Sequence, residues 1–357
     1  KTFITFDASY SGTEPLFKAN GKNDITIEDL TITGNEKQVE AAIQVNSYPS
    51  NNSRFRFERV RIHDFFGHGI MLGSGNDPHL YSNDEIVIKD CIFYNIGDPN
   101  NLVINEPGGT GIDMNNTSFR AINLNENIRK TIITNNFIYN CSGDGIFSYG
   151  WGSQSEAYPP EDLGDWIITG NNISRCWMGI EINGNGLPRK VMIQNNIIKY
   201  PTRDYGFCLS IDAQYGQISN NTLITTDRSA LEGTINQGSI TNNIIHIGAY
   251  NGEEGLPATR TEGSDQANAM ELYGFAVKIS GNNITLNTSS SISDHTPAKF
   301  SGILLVGTTT DPDFQPTSYD GLTDYAGYFD ITNNTIHGFT ERAIQATNDY
   351  IRKVNPS

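Results

Sequence analysis

A short phrase of alternating apolar and polar positions returns along the whole chain: apolar-x-apolar, then Asn-Asn or a near variant, then another apolar residue. It reads Thr131-Ile-Ile-Thr-Asn-Asn-Phe-Ile138, Trp166-Ile-Ile-Thr-Gly-Asn-Asn-Ile173 and Val191-Met-Ile-Gln-Asn-Asn-Ile-Ile198. Later copies are Gln217-Ile-Ser-Asn-Asn-Thr-Leu223, Ser239-Ile-Thr-Asn-Asn-Ile-Ile245, Val277-Lys-Ile-Ser-Gly-Asn-Asn-Ile284 and Phe329-Asp-Ile-Thr-Asn-Asn-Thr-Ile336. Looser copies precede them: Ile25-Thr-Ile-Glu-Asp-Leu-Thr-Ile32, Phe55-Arg-Phe-Glu-Arg-Val-Arg-Ile62 and Ile86-Val-Ile-Lys-Asp-Cys-Ile-Phe93. Alternation with period two is the mark of a strand with one buried face, and each copy predicts a strand, a bend and a strand.

A second phrase follows each copy by about ten residues: a small residue, then apolar-x-apolar. Gly69-Ile-Met-Leu72, Gly111-Ile-Asp-Met114, Gly145-Ile-Phe-Ser148 and Gly179-Ile-Glu-Ile182 are followed by Ala230-Leu-Glu232, Ala269-Met-Glu-Leu272, Gly302-Ile-Leu-Leu305 and Ala343-Ile-Gln345. A unit this small cannot bury its own apolar face, so the units must stack. Asn at the bend tolerates a left-handed backbone, and Asn stacked on Asn can pass amide hydrogen bonds from unit to unit. The Asn-x-Ser/Thr sequons at Asn172, Asn220, Asn283 and Asn333 are by-products of this repeat. No stretch reads as a linker, so residues 1–357 are expected to form one repeat array.

These residues resemble the pectin-lyase-like right-handed β-helix superfamily, which includes pectate lyases, polygalacturonase-type hydrolases and phage tailspike depolymerases. The resemblance covers roughly residues 20 to 350. It implies an all-β, single-stranded right-handed parallel β-helix of about ten rungs, acting on a carbohydrate polymer outside the cell. The capping helix and trimerising module of such proteins are not evident, so the chain is expected to be part of a longer one, monomeric or homotrimeric. Gly67-His68-Gly69-Ile70 looks like the Gly-His-Gly of polygalacturonase-type hydrolases, but the Asp-Asp element that precedes it there is absent.

Net charge is −16 and the pI about 4.7, which argues against nucleic acid and anionic membranes as partners. Cys91, Cys141, Cys176 and Cys208 form no CxxC pair and are expected to be stacked buried thiols, with a Cys141–Cys176 disulfide as the alternative. No signal peptide or transmembrane run stands out in the sequence.

Long insertions after the second phrase, at 74–84, 115–129, 149–165, 248–268 and 307–324, predict loops that wall a groove. Its floor should be the outward residue of each strand: Met71, Asp113, Phe147, Glu181, Cys208 or Ser210, Glu232, Glu271, Leu304 and Gln345. The next outward column is Gly73, Asn115, Tyr149, Asn183, Asp212, Thr234, Tyr273 and Val306. Neither column holds a Lys or Arg. Glycoside hydrolysis needs two carboxyls, about 5 Å apart when retaining and about 6.5–9.5 Å apart when inverting. Asp113, Glu181 and Asp212 are the expected acid/base group, with Asp144 in support. Tyr149, Trp151, Trp177 and Tyr273 offer rings to sugars, and Glu232, Glu271, Arg203 and His68 offer polar contacts. His63 and His79 lie toward the same end as His68.

The expected activity is therefore hydrolysis of a polysaccharide or oligosaccharide, with no required cofactor. Two alternatives stand beside it. A lyase or epimerase of this superfamily uses a basic residue, often with Ca²⁺, and would draw on a loop arginine: Arg120, Arg129, Arg189, Arg203 or Arg228. A glycan-binding solenoid or tailspike shaft would use the groove without catalysis. Ca²⁺ held between rungs is a further reading of the carboxylates.

Overall fold

The structure is a computed structural model. It describes residues 2–7, 9, 12, 14–35, 38–46, 52–73, 83–97, 121–125, 130–150, 165–184, 190–201, 207–225, 229–248, 266–286, 299–306, 328–339 and 342–347. Every described element is a β-strand and every pairing is parallel.

One rung shows the plan. Ile122–Asn125 lies in a first sheet, Thr131–Thr134 in a second and Phe137–Cys141 in a third. The chain then re-enters the first sheet at Ile146–Gly150, directly against Ile122–Asn125. Parallel strands joined in this way coil with a right hand, so the rungs form a right-handed parallel β-helix. Longer strands such as Arg61–Gly73, Leu231–Thr241 and Gln266–Ser280 run through a corner and serve two sheets.

Alternation decides which side chains enter the core. Along Thr131–Thr134, Thr131 and Ile133 are buried while Ile132 is exposed. The inward columns are almost wholly Ile, Val, Leu and Phe, stacked in register as Ile88, Ile133, Ile168 and Ile193. Trp166 joins this core, as its place on an inward-alternating strand implies.

The two asparagines of the repeat do different work. The first holds the bend: Asn135, Asn195, Asn220, Asn242 and Asn333 all have φ near 55°, and Gly170 and Gly281 take that place in two rungs. A Cβ on Gly170 would run into Oδ1 of Asn135. The second builds a ladder of Asn136, Asn171, Asn196, Asn221, Asn243, Asn282 and Asn334, buried up to Asn282 and half-buried at Asn334. Asn196 is typical: its Oδ1 accepts both the N–H and the side-chain amide of Asn171 at 2.9 Å. Its own amide donates to the Ile168 carbonyl and to Oδ1 of Asn221. Toward the start of the chain the ladder ends on the Cys91 N–H, and Val60 and Leu30 take the equivalent places.

All four cysteines are buried free thiols. Burial pushes Cys91 up to about 11 and raises Cys141 and Cys208, the former also through the neighbouring Cys176 thiol. The stacked-thiol expectation holds, and the disulfide alternative is not what the structure contains.

Two outcomes follow in chemical denaturation. Asn196→Ala leaves several buried groups unpaired and should cost about 3 kcal/mol or more. Asn195→Ala should cost about 1–2 kcal/mol for its left-handed Cβ, while Asn195→Gly should be close to neutral. Equal losses for the two Asn195 variants would mean that the bend does not depend on φ. In the folded protein a thiol reagent should label none of the four cysteines, and all four should react once the chain is unfolded.

Candidate active site

The floor of the first sheet can be read directly from its register. Lys18, Gln44, Met71, Asn123, Phe147, Glu181, Ser210, Glu232, Glu271, Leu304 and Gln345 lie in one column. This corrects the expected floor in two places. Between Met71 and Phe147 stands Asn123, on the strand after Ala121, and not Asp113; Asp113 lies outside the described residues. The column also reaches back to a lysine, Lys18, whose Nζ pairs with Glu14 at 3.3 Å.

Elsewhere the expected order stands. Ser210, not Cys208, faces Glu181, and Cys208 turns into the core. Asp212 therefore shares the outward parity of Ser210. Its backbone N–H donates to Ile182, and its Oδ1 accepts the Thr234 N–H at 3.0 Å. Asp212 is thus two residues along and one rung up from Glu181, and two along and one rung down from Glu232. At about 4.8 Å per rung and about 3.3 Å per residue, each diagonal is about 8 Å between backbones.

Glu232 and Glu271 are direct neighbours in register. Like charges this close repel unless donors intervene, and donors are present. Ser210 Oγ donates to Oε1 of Glu232 at 3.2 Å. Tyr273 OH donates to Oε1 of Glu271 at 2.8 Å, and the Asn268 side-chain amide donates to Oε2 at 3.2 Å. Ser210, Thr234 and Asn268 thus belong to the site as orienting groups. Asn268 carried no sequence signal, because it precedes the small-apolar phrase and looks like loop.

Asp212 differs from its neighbours. Burial raises its carboxyl above the ordinary 3.8, and the hydrogen bonds from Thr234 offset only part of that rise. It holds its proton to higher pH than an exposed aspartate.

The remaining expected residues fall into three groups. Asp144 is wholly buried, and its Oδ1 accepts the Met178 N–H at 3.2 Å. It ties one turn to the next rung and does not reach the groove, which corrects its expected supporting role. Trp177 is half-buried in the turn before Glu181, with its backbone N–H on the Gly143 carbonyl. His68 lies on Arg61–Gly73, opposite Ala41. The backbone of Tyr149 stands in register with Asn125 and Asn183, but its side chain lies outside the description, as do Trp151, Arg203, His79 and the other loop arginines. Among the described residues no group of three or more His, Cys, Asp or Glu side chains converges to hold a metal ion. No described helix is long and apolar enough to cross a membrane.

Rungs of parallel strands and a bend ladder define a right-handed parallel β-helix. In sequence, residues 94–251 match a family described as a protein of unknown function (DUF1565). No curated protein matches the chain. Among solved structures, the Dettilon tailspike protein (gp208) is similar at 13% identity and a TM-score of 0.32, over 85% of this chain and 62% of that one. The chain therefore spans less than two thirds of that tailspike's length, and a likeness this loose carries nothing about chemistry.

The raised carboxyl gives a signed pH dependence. Folded Asp212 binds its proton more tightly than the unfolded chain does. Its contribution to stability is complete below pH 3.8 and is lost as pH rises through the raised value. Asp212→Asn removes this and keeps an acceptor for Thr234. The melting temperature of the variant should gain on that of the parent as pH rises from about 4 to 7. A constant difference across that range would show that Asp212 titrates normally.

Proposed function

We propose that the chain is a glycoside hydrolase, cleaving a polysaccharide laid along the first sheet. Asp212 acts as general acid and Glu181 as its partner carboxylate. The observation that carries this reading is the raised carboxyl of Asp212, poised one rung from ionisable neighbours on either side. Hydrolysis needs one carboxyl that keeps its proton and one that does not, and different surroundings are how a protein separates them.

Asp212 donates its proton to the glycosidic oxygen as the bond breaks. Glu181 draws a proton from a water whose oxygen bonds to the anomeric carbon on the other face of the sugar. The backbones stand about 8 Å apart, and inversion requires the two carboxyls to sit about 6.5–9.5 Å apart with the water between them. Glu232 and Glu271, held by Ser210, Tyr273 and Asn268, accept hydrogen bonds from sugar hydroxyls in the neighbouring subsites. Tyr149, Trp151 and Trp177 would present ring faces to the sugars. An acidic column of this kind favours a neutral or weakly charged polymer over a strongly anionic one.

The test is a screen of neutral and acidic polysaccharides, following reducing ends together with near-ultraviolet absorbance. Reducing ends should appear without absorbance. Asp212→Asn and Glu181→Gln should each lower kcat by about 10²–10⁴ while leaving the fold intact. Ultraviolet-absorbing products would replace hydrolysis with elimination. Glycan binding without product release would leave a binding solenoid.

A further inference from the structure

The second sheet carries an outward column that breaks the usual alternation of buried apolar and exposed polar residues. Val87, Ile132, Ile167 and Met192 stand in register on four consecutive rungs. Ile132 is 40% exposed. The stripe stops sharply, at Arg56 on one side and Gln217 on the other. Solvated strands do not gain from such a stripe, whereas an interface does.

Two residues before it on each strand runs a column of charges whose sign alternates: Asp24, Arg54, Glu85, Lys130, Asp165 and Lys190. It ends on Tyr215, with the Lys190 ammonium 5.9 Å from the ring centroid. Arg54 pairs with Asp24, and Lys130 lies 3.8 Å from Glu85. The column sums to zero on a chain of net charge −16, so here another copy can approach without the repulsion of the rest of the surface.

We propose that this face binds a second copy of the chain, face to face and with helix axes antiparallel. The two-fold axis runs along the strands, between the rungs of Ile132 and Ile167. Each column then meets itself in reverse order. Ile132 faces Ile167 of the second copy, and Val87 faces Met192. Lys130 faces Asp165, Glu85 faces Lys190, and Arg54 faces the ring of Tyr215. A shift of the axis by half a rung sets Lys130 or Asp165 against itself. A shift by one whole rung toward Val87 restores the charges but lays Arg56 over Ile167, and one toward Met192 lays Gln217 over Ile132 and Tyr215 over Lys130. A parallel arrangement opposes like charges when the charge column is laid on itself, and with the apolar stripes matched it sets Lys130, Asp165 and Lys190 over Thr134, Thr169 and Gln194, which carry no charge. One centre satisfies both columns.

The matched face spans six rungs, about 29 Å, and is one strand wide. That is narrower than the roughly 800 Å² per partner of a tight complex, so the dimer should be weak, with Kd of about 10–100 µM.

Sedimentation equilibrium from about 1 to 200 µM tests this. A reversible monomer–dimer equilibrium is expected, and Ile132→Asp should raise Kd at least tenfold. Far-ultraviolet circular dichroism and melting temperature should hold, because the side chain is already exposed. Separately made Ile132→Cys and Ile167→Cys proteins, mixed under mild oxidation by dissolved oxygen, should give the mixed disulfide dimer in excess of either homodimer. A monomer at every concentration, a trimer, a dimer indifferent to Ile132→Asp, or an excess of homodimeric cross-links would each overturn the proposal.

Discussion

The fold depends on the amide ladder from Asn136 to Asn334, buried in all but its last member. Each of its inner members uses all of its polar atoms inside the protein: two donors on the side chain, one on the backbone, and an oxygen that accepts twice. A buried amide left unpaired is costly, so each rung must place its asparagine at one height and one angle relative to the next. Once that phase is fixed, the strands on both sides of the bend have no freedom of register. The columns of the first sheet, including the carboxylates, inherit their alignment from a contact on the far side of the coil.

Where the ladder is missing, the chain turns to other means. At the early bends the ladder position holds Leu30, Val60 and Cys91, and the left-handed residues are Asp29, Arg59 and Asp90. Arg59 donates to Asp29, Glu28 and Glu58 at 2.7–3.1 Å, spanning neighbouring rungs. Exposed ion pairs give little energy singly, so these rungs rest mainly on packing, with Phe55, Phe57, Phe65 and Phe93 filling the core. Larger side chains at one end and amides at the other are two solutions to the same stacking problem.

The repeat made much of this architecture legible in the sequence. Alternation separated Trp166 from the surface, and the bend phrase located the stack of asparagines. What the phrase did not reveal is their division of labour, because φ and burial separate Asn195 from Asn196 while residue type does not. The first-sheet column was readable wherever the small-apolar phrase occurred once per rung. It misled where the phrase occurred twice: Gly111-Ile-Asp-Met114 and Ala121-Ile-Asn-Leu124 fit equally well, and only pairing with Met71 and Phe147 selects the second. Asp144 looked like a loop carboxylate because sequence carries no sign of how deeply a turn is tucked. The raised carboxyl of Asp212 was likewise invisible, since it comes from burial and not from neighbours in the chain.

The ladder also sets the unit in which such a protein can change its length over evolutionary time. Successive ladder asparagines are 25, 25 and 22 residues apart between Asn171 and Asn243. Duplicating one such segment adds an amide that accepts from below and donates above, and every column gains one member without disturbance. Removing a single residue from a strand does the opposite. It turns that strand's outward groups into the core and breaks the chain of amides at one step. Whole coils are thus the heritable currency of this architecture, and a gene lengthened or shortened by coils would carry its carboxylate column intact to a new height on the stack.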